Sequence, residues 1–132
     1  MPQYSTTSSP TFIQQGLVDS LEDPQTEREV QDMLDTFARR RRIIVDGLRG
    51  IPGLRSTEPK GAFYVLVDVS GTGLTGMGSA MKLLEERGVA AVPAIAFGDS
   101  CGNYIRMSYA SSDENIQKGI EIMGDFVNSL GR

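Results

Sequence analysis

The sequence predicts an α+β fold, in which helices cover one face of a small sheet and a long helix precedes it. Three observations carry that reading. Val30, Met33, Leu34, Phe37, Ile44 and Leu48 form an apolar stripe of helical period from Pro24 to about Arg49. Near residue 54 the texture changes to short extended segments, "GAFYVLVDVS" and "YIRMSYA". The segments then run helix, long helix, strand, helix, strand, strand, helix, without repeated βαβ units.

Each element has a local justification. Ser9 can cap a first helix with Pro10 in its first turn, and Ile13, Leu17, Val18 and Leu21 share one side of it. Asp23-Pro24 opens the long helix by the same device, and Gly50 and Pro52 stop it. At ~1.5 Å per residue that helix approaches 40 Å, more than a small domain needs. Val65-Leu66-Val67 predicts a strand buried on both faces. "GTGLTG" reads as a flexible loop, and "MGSAMKLLEERG" as a helix with Met77, Ala80, Met81 and Leu84 inward and Gly88 as its stop. "VAAVPAIAF" is extended but interrupted by Pro93, which favours short pieces or a sheet edge. Ser111 and Glu114 have capping-box spacing ahead of a closing helix striped by Ile116, Ile120, Met123 and Val127.

The bulk numbers narrow the function. The chain has 132 residues and a net charge of −4, a balance that argues against nucleic acid as a partner. No apolar run reaches the ~18–20 residues that span a bilayer, and the polar start lacks the order of a signal peptide. A single cysteine fits a reducing, cytoplasmic setting. The absence of histidine removes the commonest general base and metal ligand. No carboxylate cluster has the spacing of a calcium loop, so no metal is expected.

Arg106 is the residue that asks for an explanation, because it sits at the centre of an apolar strand. Alternation puts Tyr104, Arg106, Ser108 and Ala110 on one face and Ile105, Met107 and Tyr109 on the other. Arg106 is then either a surface arginine or a clamp whose planar fork matches the two oxygens of a carboxylate. Gly71, Gly73 and Gly76 spell G-x-G-x-x-G between a strand and a helix, with Asp99 downstream. Pro93 in the following strand and the lack of βαβ repeats weigh against a dinucleotide site there. The "ARRRR" run at 38–42 covers all sides of a helix and reads as a solvated or acid-paired surface. Cys101 sits in a turn and reads as a bystander.

Three segments, "PKGAFYVLVDV" (59–69), "LLEERGVAAVPAIAFG" (83–98) and "GNYIRMSYA" (102–110), occur here in the order and spacing of one family. The chain resembles the carboxy-terminal part of the class I/II, fold-type I pyridoxal-phosphate aminotransferases, the aspartate aminotransferase-like branch in particular. The upstream "STTSSPTFIQQGLVDSL" resembles the helix leading into that family's interdomain helix. The resemblance implies a small mixed sheet of the aminotransferase small-domain type at 51–132, a linking helix at 23–50, and a remnant of a large-domain helix at 1–22. It implies that Arg106 binds the substrate α-carboxylate, that Phe63 or Tyr64 approaches the substrate or the domain cleft, and that Pro93 and Phe97 shape the cleft edge. It also implies pyridoxal 5′-phosphate as cofactor, amino and 2-oxo acids as substrates, and a homodimeric parent.

The family's cofactor lysine lies in a stretch upstream of position 5, and Lys60, Lys82 and Lys118 are outside any such motif. The expectation is therefore a fragment that is inactive alone, holds no cofactor and self-associates through bared apolar helices. Rival readings are a self-contained amino-acid-binding regulatory module, a nucleotide-binding fragment using the Gly71–Gly76 loop, and a purely structural or interaction domain.

Overall fold

The computed structural model describes residues 10–131. Two compact units divide between Thr36 and Phe37. In the first, helix α1 (Thr11–Glu22) follows Pro10, whose extended backbone (φ −57°, ψ 131°) occupies the N-cap position without a side-chain cap. The expected cap, Ser9, lies outside the described residues. No residue of α1 is buried; Phe12 and Leu21 are 77% and 75% exposed. Helix α2 (Pro24–Arg49) begins as its sequence suggests, with the Asp23 carboxylate accepting the Gln25 N–H at 2.9 Å.

The second unit contains the sheet. Strands β1 (Arg55–Ser56), β2 (Tyr64–Asp68), β3 (Val92–Pro93) and β4 (Tyr104–Ser108) are ordered β1-β2-β4-β3. All three neighbouring pairs are antiparallel, where a mixed sheet is expected. β1 is an additional strand; two residues are too short to leave a pattern in sequence. Pro93 sits on the edge strand β3, where a missing N–H is tolerated.

Helices α3 (Gly76–Arg87) and α4 (Asp113–Leu130) complete the unit. Its core joins Ile44, Val45 and Leu48 of α2 to Val65, Val67 and Ile105 of the sheet, to Tyr109 just past β4, and to Leu83, Ile116, Met123 and Phe126. β2 is fully buried on one side only, since Leu66 remains partly exposed. The inward side of α3 also differs from expectation: Ser79, Ala80 and Leu83 are buried, while Met77, Met81 and Leu84 are about half exposed. The small Ser79 and Ala80 allow close approach beside the buried Leu83. In α4 the cap is Ser112, one residue later than expected; its Oγ accepts the Asn115 N–H at 3.2 Å. Phe126 is an unanticipated member of its buried stripe.

The loop after β2 is a hydrogen-bonded connection rather than a flexible tether. The Asp68 carboxylate accepts the Ser70 N–H at 2.9 Å, and this bond chiefly holds its pKa below the usual carboxylate value. Thr72 Oγ1 donates to the Val69 carbonyl at 2.7 Å. A Cβ on Gly71 would lie 2.6 Å from the Gly53 carbonyl oxygen, and one on Gly76 would collide with the Tyr104 carbonyl. These glycines permit backbone packing, an account that needs no bound phosphate. Asp99 stands in a 3₁₀ turn, not at a strand end. Among the described residues, no helix is long and apolar enough to cross a membrane.

Candidate functional site

The sheet has two unlike faces. Val65, Val67, Ile105 and Tyr109 point to the helices and are fully buried. Tyr64, Leu66 and Asp68 of β2 and Tyr104, Arg106 and Ser108 of β4 share the other face, and each retains solvent exposure. Arg106 is the middle residue of the inner strand β4. Its register partners, Leu66 on β2 and Val92 on β3, share its face on either side.

Two aromatic rings lie close to the guanidinium of Arg106. Its Cζ lies 4.2 Å from the Tyr64 ring centroid and 4.8 Å from that of Phe97. Both distances are within the ~6 Å range of a cation–π contact. Tyr64 comes from β2, and Phe97 from the 3₁₀ turn Ala94–Phe97 that follows β3; β2 and β3 are the two neighbours of β4. Among the described residues no carboxylate pairs with Arg106. Its in-plane N–H groups remain available to an anion.

Four other arginines do have hydrogen-bond partners. Arg39 Nε donates to Asp113 at 2.8 Å and Arg40 Nε to the same carboxylate at 3.3 Å. Hydrogen bonding from Arg39 holds Asp113 below its ordinary pKa. Arg41 donates to the Pro59 carbonyl at 3.0 Å, and Arg49 to Glu58 at 3.1 Å. The basic run is thus largely acid-paired or bound to backbone.

Phe63, a second candidate beside Tyr64, has a different neighbourhood. Its ring stacks on Phe37 at 6.1 Å and meets Tyr64 at 4.4 Å. The loop that carries it is fastened at several points. Tyr109 Oη donates to the Ala62 carbonyl at 2.9 Å, and Tyr109 N–H to the Phe63 carbonyl at 3.0 Å. Ala62 has φ +57°, an uncommon value for a residue with a side chain. Phe97 enters the site as an arginine partner, a role the sequence motif alone does not reveal. Cys101 is a free, partly exposed thiol. Among the described residues no group of three His, Cys, Asp or Glu could hold a metal ion.

The fold and these motifs have known counterparts. The model of the family "Aminotransferase class I and II" matches residues 2–123. A (5-formylfuran-3-yl)methyl phosphate transaminase of Methanocaldococcus jannaschii is 40% identical over 121 residues, covering 92% of this chain and 31% of its own length. The crystal structure of an aromatic aminotransferase from Pyrococcus horikoshii OT3 superposes with a TM-score of 0.89 at 34% identity, covering 96% of this chain and 34% of that one. An aspartate aminotransferase from Thermus thermophilus, solved with maleate, gives 0.81 at 35% identity, covering 93% and 31%. The chain spans about a third of the length of the relatives it matches. It belongs to the class I and II aminotransferase family.

Proposed function

We propose that this chain supplies the substrate-carboxylate wall of a pyridoxal-phosphate-dependent aminotransferase, with Arg106 binding the α-carboxylate of an amino or 2-oxo acid. The observation that carries the reading is an arginine on the partly exposed face of a sheet, with two rings beside it and no acidic partner among the described residues. A planar fork so placed accepts two carboxylate oxygens side by side. The maleate named with the Thermus relative is itself a dicarboxylate. Tyr64 belongs to this site as a neighbour of the arginine, and Phe63 as the ring behind it.

The residues present do not fit the cofactor. Lys60, Lys82 and Lys118 are all exposed, and Lys82 faces Glu86 at 3.7 Å. None offers an enclosed amine for an imine with an aldehyde. The chain alone should therefore neither retain pyridoxal phosphate nor transaminate. In the same reading 1–22 derives from a large-domain helix, 23–50 links the domains, and 51–132 is the small domain of a cytoplasmic, homodimeric parent. The bare apolar side chains of α1 support self-association of the isolated chain.

The test is Arg106→Lys in the enzyme that carries this segment. Charge is kept and the fork is lost, so kcat/KM for amino-acid substrates should fall about 100-fold, the scale of a small misplacement at a reacting centre. Near-normal kinetics would reject the assignment. For the isolated chain, borohydride treatment with pyridoxal phosphate should trap no stoichiometric adduct at a single lysine.

A further inference from the structure

A guanidinium donates hydrogen bonds only in its plane, and its two faces are weakly hydrated. Rings against those faces therefore restrict its motion without consuming donors. Arg106 has two rings close to its guanidinium carbon, Tyr64 of β2 at 4.2 Å and Phe97 of the turn after β3 at 4.8 Å. Phe97 is 56% exposed, so core packing does not account for its position. The backbone fixes it instead. The 3₁₀ turn that carries it starts after Pro93 and ends at Gly98, whose φ of 147° and ψ of 151° lie in a region essentially restricted to glycine. Gly98 N–H donates to the Ile95 carbonyl at 3.2 Å, and the Gly98 carbonyl accepts from Cys101 at 3.0 Å. A Cβ on Gly98 would meet nothing within 4 Å, so the requirement for glycine there is conformational.

We propose that Tyr64 and Phe97 are positioning residues that immobilise the Arg106 guanidinium before substrate arrives, with Gly98 setting the reach of Phe97. The proposal rests on the carboxylate reading of Arg106. The rings act through the arginine and favour planar, two-oxygen anions that approach along its N–H edge. An arginine already ordered loses less freedom on binding than a mobile one. Loss of one ring should raise KM for amino-acid substrates about 2- to 10-fold, the range expected for one immobilised side chain, with a smaller effect on kcat.

The experiment measures the ¹⁵N order parameter of the Arg106 Nε–H group in the 132-residue chain at mildly acidic pH, with exposed Arg87 as the mobile reference. The wild-type value should lie near the ~0.85 of rigid backbone and drop below about 0.6 in Phe97→Leu. Phe97→Tyr should keep the wild-type value. Gly98→Ala, which removes no ring, should loosen Arg106 as Phe97→Leu does. A wild-type Arg106 as mobile as Arg87, or one unaffected by Phe97→Leu and Gly98→Ala, overturns the proposal. If Arg106 is rigid as expected but Arg106→Lys leaves kcat/KM unchanged in the enzyme, the carboxylate reading fails and the positioning role falls with it, leaving a structural bracket only.

Discussion

The two faces of one small sheet differ in burial and in charge. The inner face, with Val65, Val67, Ile105 and Tyr109, has almost no exposure and joins three helices into one core. The outer face places Arg106 one residue further along the same strand, partly exposed and without an acidic partner among the described residues. Strand geometry sends successive side chains to opposite sides, so adjacent residues can serve stability and recognition separately. A substitution's neighbours in sequence therefore say little about its cost; the face it occupies decides.

Graded substitutions separate the two faces. The largest expected loss of stability follows Tyr109→Ala, about 3–5 kcal/mol, because it empties a fully buried aromatic site and removes a bond to the Ala62 carbonyl. Tyr109→Phe keeps the ring and deletes only that hydroxyl; about 1–2 kcal/mol should be lost, as chemical denaturation would measure. A result near zero would show that the loop does not depend on this fastening. Arg106→Lys should change stability by less than about 0.5 kcal/mol while damaging catalysis in the enzyme, a dissociation that Tyr109→Phe should not show.

The smallest effect concerns pH. The Asp113 pKa is lowered in the folded state, by Arg39 first and Arg40 after it. Its contribution is therefore complete at neutral pH, above the unfolded value near ~3.9, and is lost as pH falls toward the lower folded value. In Asp113→Asn the acid limb of the stability profile below about pH 4 should be shallower than in the wild type. Exposure of the pair keeps the effect small. Equal acid limbs would show that this pair contributes nothing measurable.

Much of this division was legible in the sequence, and the exceptions have physical causes. Alternation around Arg106 correctly separated Ile105 and Tyr109 from the exposed side, because a strand has a fixed period. Asp23-Pro24 and Gly88 marked helix ends through local backbone chemistry, and Gly88 has φ +67°. The cap of α4 was misplaced because Ser111 and Ser112 are neighbours and either could serve. Met77, Met81 and Leu84 misled because hydrophobicity alone does not reveal which side of a helix comes closest to a sheet. The pairing of Phe97 and Tyr64 around Arg106 was illegible for a deeper reason. It depends on strand order and register, which bring Tyr64, far away along the chain, beside Arg106 and the turn that carries Phe97.

The most direct measurement is a crystal structure of the enzyme that carries this segment, bound to maleate. The account predicts both oxygens of one carboxylate in the plane of the Arg106 guanidinium, each about 2.7–2.9 Å from one of its nitrogens. Maleate held entirely by other residues, with the Arg106 donors turned to solvent, would contradict it.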